Sequence, residues 1–128
     1  MMEYIKDAPN RVCCLAQIES VEAVNNLDEM LKVPFVDGFI LGPCDLSGTI
    51  GRLHELDHPE VMALIDTSIE KCRRAGRAIG LATGTTTEEE YRFWYDRGIQ
   101  FLSAGNDISA IVSAARERAR LMKKVFGE

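Results

Sequence analysis

Asp37–Leu81 reads DGFILGPCDLSGTIGRLHELDHPEVMALIDTSIEKCRRAGRAIGL, and this stretch decides the fold. It opens on GFIL, an apolar run of strand length, which breaks into the loop GPCDLSGTIG from Gly42 to Gly51. Pro59 follows Asp57-His58 and suits the first position of a helix over Glu60 to Ala75, because the N–H it lacks has no partner at a helix start anyway. Gly76 is suited to end that helix. Ala78 to Leu81 is again an apolar run of strand length. Strand, helix, strand in this order implies parallel neighbours, since parallel strands need a long crossover where antiparallel ones need only a hairpin.

The same alternation extends both ways. Upstream, VCCLAQI (Val12–Ile18) reads as a strand ending at Glu19 and Ser20, and Ser20 caps a helix from Val21 to about Leu31 with Val24, Leu27 and Leu31 on one face. Downstream, the third strand runs into Thr83-Gly84-Thr85. Thr87 with Glu90 three residues on forms a capping box for a helix to Arg97, stopped by Gly98. Phe101 to Ala104 is the fourth strand, followed by Gly105-Asn106-Asp107 and an amphipathic helix over about Ser109 to Val125. Four strand–helix units in succession predict an α/β fold on a parallel sheet.

Composition narrows the function. The chain has 128 residues, 46% hydrophobic and 27% charged, which suits one folded domain and not a disordered one. No apolar run approaches the roughly 18 residues of a membrane helix. Met1 to Asn10 carries Glu3, Lys6 and Asp7, unlike a secretory signal, so a cytoplasmic location is expected. With 15 Lys+Arg against 20 Asp+Glu, the net charge of −5 argues against nucleic acid or an anionic membrane as partner. Cys13, Cys14, Cys44 and Cys72 make no C-x-x-C pair and no zinc-finger spacing with histidine, so they are expected to be reduced and mostly packed. A complete (β/α)8 barrel takes about 250 residues, so a barrel reading of this length is of about half a barrel.

In parallel α/β architectures ligands bind at the C-terminal ends of the strands. That selects Gln17-Ile18-Glu19, Gly42-Pro43-Cys44-Asp45, Ala82-Thr83-Gly84 and Gly105-Asn106-Asp107. Strand alternation turns Gln17 and Glu19 to one side, and Cys14, Ala16 and Ile18 to the other. The Gly42-Pro43 turn brings Asp45 beside Glu19 if the two strands are adjacent. Two carboxylates from neighbouring strand ends suit a hard divalent cation, Mg²⁺ or Mn²⁺. The residues alone leave a second reading open, in which Glu19 only complements the dipole of the helix it precedes. Thr83-Gly84-Thr85 fits a substrate tail or a plain polar turn, and Asn106 and Asp107 fit a substrate contact or a helix cap. His58 belongs to a helix-start turn with Pro59, and His54 reads as a solvated loop residue. Cys44 is not a catalytic thiol candidate, because no activating His or Lys is expected near it. Tyr91, Phe93 and Trp94 read as packing or interface groups.

At these residues the sequence resembles the HpcH/HpaI family of class II, metal-dependent pyruvate aldolases. The matching text is AQIES (Ala16–Ser20), DGFILGPCDLS (Asp37–Ser47), HPEV (His58–Val61) and FLSAGND (Phe101–Asp107), in order along the chain. The resemblance implies a (β/α) TIM-barrel type fold, of which residues 1–128 form the C-terminal half barrel with four βα units. It implies that Glu19 and Asp45 are metal ligands, with Mg²⁺ or Mn²⁺ as the ion and Co²⁺ as a further candidate. It assigns Gln17 to orienting bound water or a substrate oxygen. The backbone N–H groups of Cys44 and Asp45 would receive the carboxylate of pyruvate, as a turn entering a short helix can.

The implied activity is carbon–carbon lysis of 2-keto-4-hydroxy acids to pyruvate, or a related 2-oxoacid, and an aldehyde. The family's proton-transfer histidine and enolate-stabilising arginine lie in the earlier half of the barrel and have no counterpart in this chain. Two functions follow as expectations. One is the metal- and pyruvate-binding half of a lyase; the other is an inactive aldolase-like protein that acts by binding or association. Open edges at the first and fourth strands predict a homo-oligomer, or a partner chain that supplies the missing half barrel.

Overall fold

The computed structural model describes residues 7–84 and 87–127. After a short 3-10 turn at Ala8–Asn10 the order is β1 (Leu15–Ile18), α1 (Val21–Met30), β2 (Gly38–Leu41), α2 (Pro43–Thr49), α3 (Pro59–Arg74), β3 (Ala78–Thr83), α4 (Glu88–Asp96), β4 (Phe101–Ala104) and α5 (Asp107–Phe126). The strands make one sheet in the order β1-β2-β3-β4, and every pair is parallel. The expected α/β class is the observed one.

Local chemistry sets the boundaries. Ser20 Oγ accepts from Ala23 N at 3.1 Å, Thr87 Oγ1 from Glu90 N at 3.3 Å and Asn106 Oδ1 from Ser109 N at 2.8 Å, each satisfying a donor that a helix start leaves unbonded. His58 Nδ1 accepts from Glu60 N at 3.2 Å with Pro59 as the first helical residue, so the helix-start role of His58 is observed. β1 starts at Leu15, not Val12, because Cys14 turns its N–H onto the Asp37 carboxylate at 2.7 Å. β3 continues to Thr83, carried by its pairing with β4 up to Thr83↔Ala104. The loop after β2 contains a helix, α2.

The helix-facing side of the sheet holds the core. Ile18, Phe39, Leu41, Ile79 and Leu81 meet Val24 and Leu27 of α1, Leu46 of α2, and Val61, Ile65, Ile69 and Cys72 of α3, all buried. The α3 residues recur at helical spacing on one stripe, and each fully buried Leu or Ile contributes about 1.5–3 kcal/mol. Arg77, just before β3, then ties that strand's start to the end of α1 and the loop after it. Its guanidinium donates to the carbonyls of Val36 at 3.0 Å, Val33 at 3.2 Å and Leu31 at 3.3 Å.

The opposite face is low and open. Leu15 of β1 lies over Gly38 of β2, and the Phe101 ring of β4 lies over Gly80 of β3, where an added Cβ would fall 2.3 Å from the ring. Large side chains from the outer strands thus fold inward over glycines on the central ones. Leu15 stays 43% exposed.

One expectation is corrected. The cysteines are free, but only Cys72 is buried: Cys13 and Cys14 are exposed and Cys44 is half-buried. Burial pushes the Cys72 thiol up to about 11. The last helix, α5, does not return to the sheet. None of its residues is buried, and Ile108, Ile111, Met122 and Phe126 of its apolar stripe are between 60% and 75% exposed.

Candidate active site

The candidate residues gather where β1 and β2 end. Gly42 N donates to Ile18 O at 2.9 Å, which carries the parallel pairing one step past the strands and sets Gly42 against Glu19. A Cβ at Gly42 would stand 2.9 Å from Gln17 Nε2, 3.2 Å from Glu19 Cβ and 3.5 Å from Glu19 Oε2. Gln17 and Glu19 therefore both lean over the start of α2, as strand alternation predicts for two side chains on one face. Ile18 between them is buried in the core.

Asp45 sits in the first turn of α2, three residues beyond the N-terminal Gly42, so the two share a helix face. Gly42 has no side chain with which to cap, and Pro43 has no N–H. The first N–H groups of α2, those of Cys44 and Asp45, are left for other acceptors. The end of α2 is tied to the start of α1: Thr49 Oγ1 donates to Leu46 O at 2.7 Å and accepts from Val21 N at 3.3 Å. Both acidic side chains are exposed to solvent.

The donor set fits a hard cation. The two carboxylates are oxygen donors, and the absent side chain at Gly42 leaves room beside Glu19, where an added Cβ would stand 3.5 Å from its Oε2. Among the described residues no group of three or more His, Cys, Asp or Glu is placed to hold a metal, so water or substrate oxygens would complete a shell built on Glu19 and Asp45.

One contact was not foreseen. His54 is an exposed loop residue, as expected, but its Nδ1 lies 3.3 Å from Cys44 Sγ, which corrects the expectation that no histidine stands near that thiol. His54 N donates to Ser47 Oγ at 3.1 Å, and Ser47 Oγ donates to Cys44 O at 2.6 Å. His54 also takes φ 68°, a left-handed conformation that only glycine adopts freely. No periodicity signals a contact that spans ten residues, from the first turn of α2 to the loop that follows it.

The other strand ends contribute less. Asn106 is spent as the cap of α5, and Asp107 Oδ1 accepts from Ile108 N at 2.9 Å. Thr83 lines a cleft of about 420 Å³ with Leu56, Met62, Phe93, Trp94 and Arg97, on the helix side of the sheet. None of Gln17, Glu19 and Asp45 lines it. Thr85 lies outside the described residues. Phe93 and Trp94 pack edge to face at 4.9 Å, with Arg97 4.3 Å over the Phe93 ring.

Comparison with known proteins points to one family. The family described as HpcH/HpaI aldolase/citrate lyase matches residues 2–114. A hydroxypyruvate/pyruvate aldolase of Pseudomonas aeruginosa is 36% identical over 121 residues, covering 94% of this chain and 44% of the relative. A 2-keto-3-deoxy-L-rhamnonate aldolase of Escherichia coli O1:K1 / APEC is similar to the same extent. The crystal structure of an HpcH/HpaI aldolase/citrate lyase family protein from Burkholderia cenocepacia J2315 superposes with a TM-score of 0.83 at 26% identity, over 94% of this chain and 46% of that one. The chain thus spans less than half the length of the curated relatives it matches.

Proposed function

Because the chain belongs to the HpcH/HpaI aldolase/citrate lyase family, we propose that residues 1–128 act as one unit, the second half of a (β/α)8 barrel, and form the metal- and 2-oxoacid-binding part of a class II aldolase. The reaction is cleavage of a 2-keto-4-hydroxy acid to pyruvate, or a similar 2-oxoacid, and an aldehyde. The observation that carries this reading is the placing of Gln17 and Glu19 over Gly42, one helical turn from Asp45.

Glu19 and Asp45 would hold Mg²⁺ or Mn²⁺, with Co²⁺ as an alternative. A divalent cation bound there supplies electrophilic stabilisation of negative charge on the keto oxygen. Gln17 fixes the orientation of a water or substrate oxygen through its amide. The N–H groups of Cys44 and Asp45 receive the carboxylate, and the rigid ties of α2 to α1 keep those donors in place. Removal of the proton from the 4-hydroxyl as the C3–C4 bond breaks, and its return to the enolate carbon to give pyruvate, fall to groups outside these residues, which a partner chain would supply. The exposed apolar stripe of α5 and the open sheet face support such association. No described helix is long and apolar enough to cross a membrane, and we assign the protein to the cytoplasm.

Thermal unfolding with and without Mn²⁺ and pyruvate tests the site. Saturation at about 100 times the dissociation constant should stabilise the fold by about 2.7 kcal/mol. Glu19→Ala and Asp45→Ala should each abolish that rise; a rise that persists in either removes the metal assignment.

A further inference from the structure

Glu19 and Asp45 stand in different segments, one just past β1 and the other in the first turn of α2, so the gap between their carboxylates depends on how those segments are joined. Two hydrogen bonds bracket them. At one end Gly42 N donates to Ile18 O at 2.9 Å, and at the other Val21 N donates to Thr49 Oγ1 at 3.3 Å. Glu19 lies between Ile18 and Val21, and Asp45 between Gly42 and Thr49, so the two bonds close a ring that contains both acidic residues. The first bond is made by backbone alone. The second depends on one hydroxyl. Thr49 Oγ1 spends its proton on Leu46 O at 2.7 Å, which leaves a lone pair for Val21 N. Val21 opens α1, where an N–H has no acceptor within the helix, and the cap Ser20 Oγ serves Ala23 N instead.

We infer that Thr49 is a positioning residue: by tying the start of α1 to the end of α2 it fixes the separation of Glu19 and Asp45, and with it the size of divalent ion they hold. The inference rests on the proposed role of those two carboxylates. Mg²⁺ demands short bonds in near-ideal octahedral geometry, whereas Ca²⁺ accepts longer and more varied ones. A loosened ring therefore costs Mg²⁺ more than Ca²⁺. A general loss of stability would cost both alike.

The test titrates the full chain with Mn²⁺, read by the paramagnetic resonance of the free ion, and measures Mg²⁺ and Ca²⁺ by competition. Thr49→Val keeps the side-chain shape and removes the acceptor. Val21→Pro breaks the same bond from the other side and carries the test alone if Thr49→Val does not fold. Proline suits a first helical position, and Ser20 before it already has the extended backbone, φ −146° and ψ 156°, that proline requires. Each variant should lower Mg²⁺ affinity about tenfold, the scale of groups that orient metal ligands, and Ca²⁺ affinity by less than about threefold. The double variant should be no weaker than either single one, because both remove one bond. Thr49→Ser should restore most of the Mg²⁺ affinity. Thr67→Val, which removes a hydroxyl that donates to Ala63 O at 2.7 Å within α3, should change neither affinity. Losses that are equal for the two ions, additive in the double variant or absent altogether overturn the inference, and the site stands if Glu19→Ala still abolishes Mn²⁺ binding. Mn²⁺ binding that survives Glu19→Ala, or that the intact chain lacks, overturns the site and the inference together.

Discussion

Gly42 shows how much depends on a missing side chain. Its φ of −107° is open to any residue, so glycine is needed there for what stands above it, Gln17 and Glu19. Gly42→Ala would drive a methyl to 2.9 Å from Gln17 Nε2, and the flexible amide end would yield before the backbone did. The melting temperature of the free protein should therefore fall only slightly, by no more than about 1 kcal/mol in stability terms. The stabilisation by Mn²⁺ and pyruvate should be largely lost, and paired melts with and without ligands check this. Gln17 and Glu19 were legible because strand alternation, a property of two residues and their strand, puts them on one face. Asp45 was legible once its turn was known to follow an adjacent strand. The Cys44–His54 contact was not, because it depends on the path of an aperiodic loop and on one backbone angle that histidine rarely adopts.

Elements were readable in proportion to how locally they are stabilised. Ser20, His58, Thr87 and Asn106 each cap a helix through a bond spanning two or three residues, so α1, α3, α4 and α5 announce their starts. α2 does not: PCDLSGT is poor in helix formers and reads as loop. Burial of Leu46 and the Thr49 tie to Val21 hold it helical, and both come from elsewhere in the fold. Arg77 is a similar case, a charged residue before a strand whose three carbonyl partners lie more than forty positions upstream. Arg77→Met keeps most of the aliphatic bulk but leaves the ends of α1 and of its following loop without donors. We expect a loss of about 2–3 kcal/mol in urea unfolding, with Arg77→Lys recovering only a part because one ammonium cannot span the three carbonyls.

For the whole molecule, the alternation of apolar runs fixed the fold class, since only a parallel sheet accommodates four strands separated by helices. The seat of α5 was not legible, because an amphipathic pattern says that a face must be covered and not by which surface. Its stripe of Ile108, Ile111, Met122 and Phe126 is open in the single chain. If self-association buries it, Ile111→Glu with Met122→Glu should lower the mass seen by light scattering while leaving circular dichroism almost unchanged; an unchanged mass would place the contact elsewhere. The strand order has a consequence for how the chain is made. Among the described strands each pairs only with its neighbours in sequence, so every βα unit after the first finds a hydrogen-bonding neighbour already synthesised as it leaves the ribosome. No early strand waits for a distant partner, the closing entropy of each pairing stays small, and the sheet grows in the direction of translation.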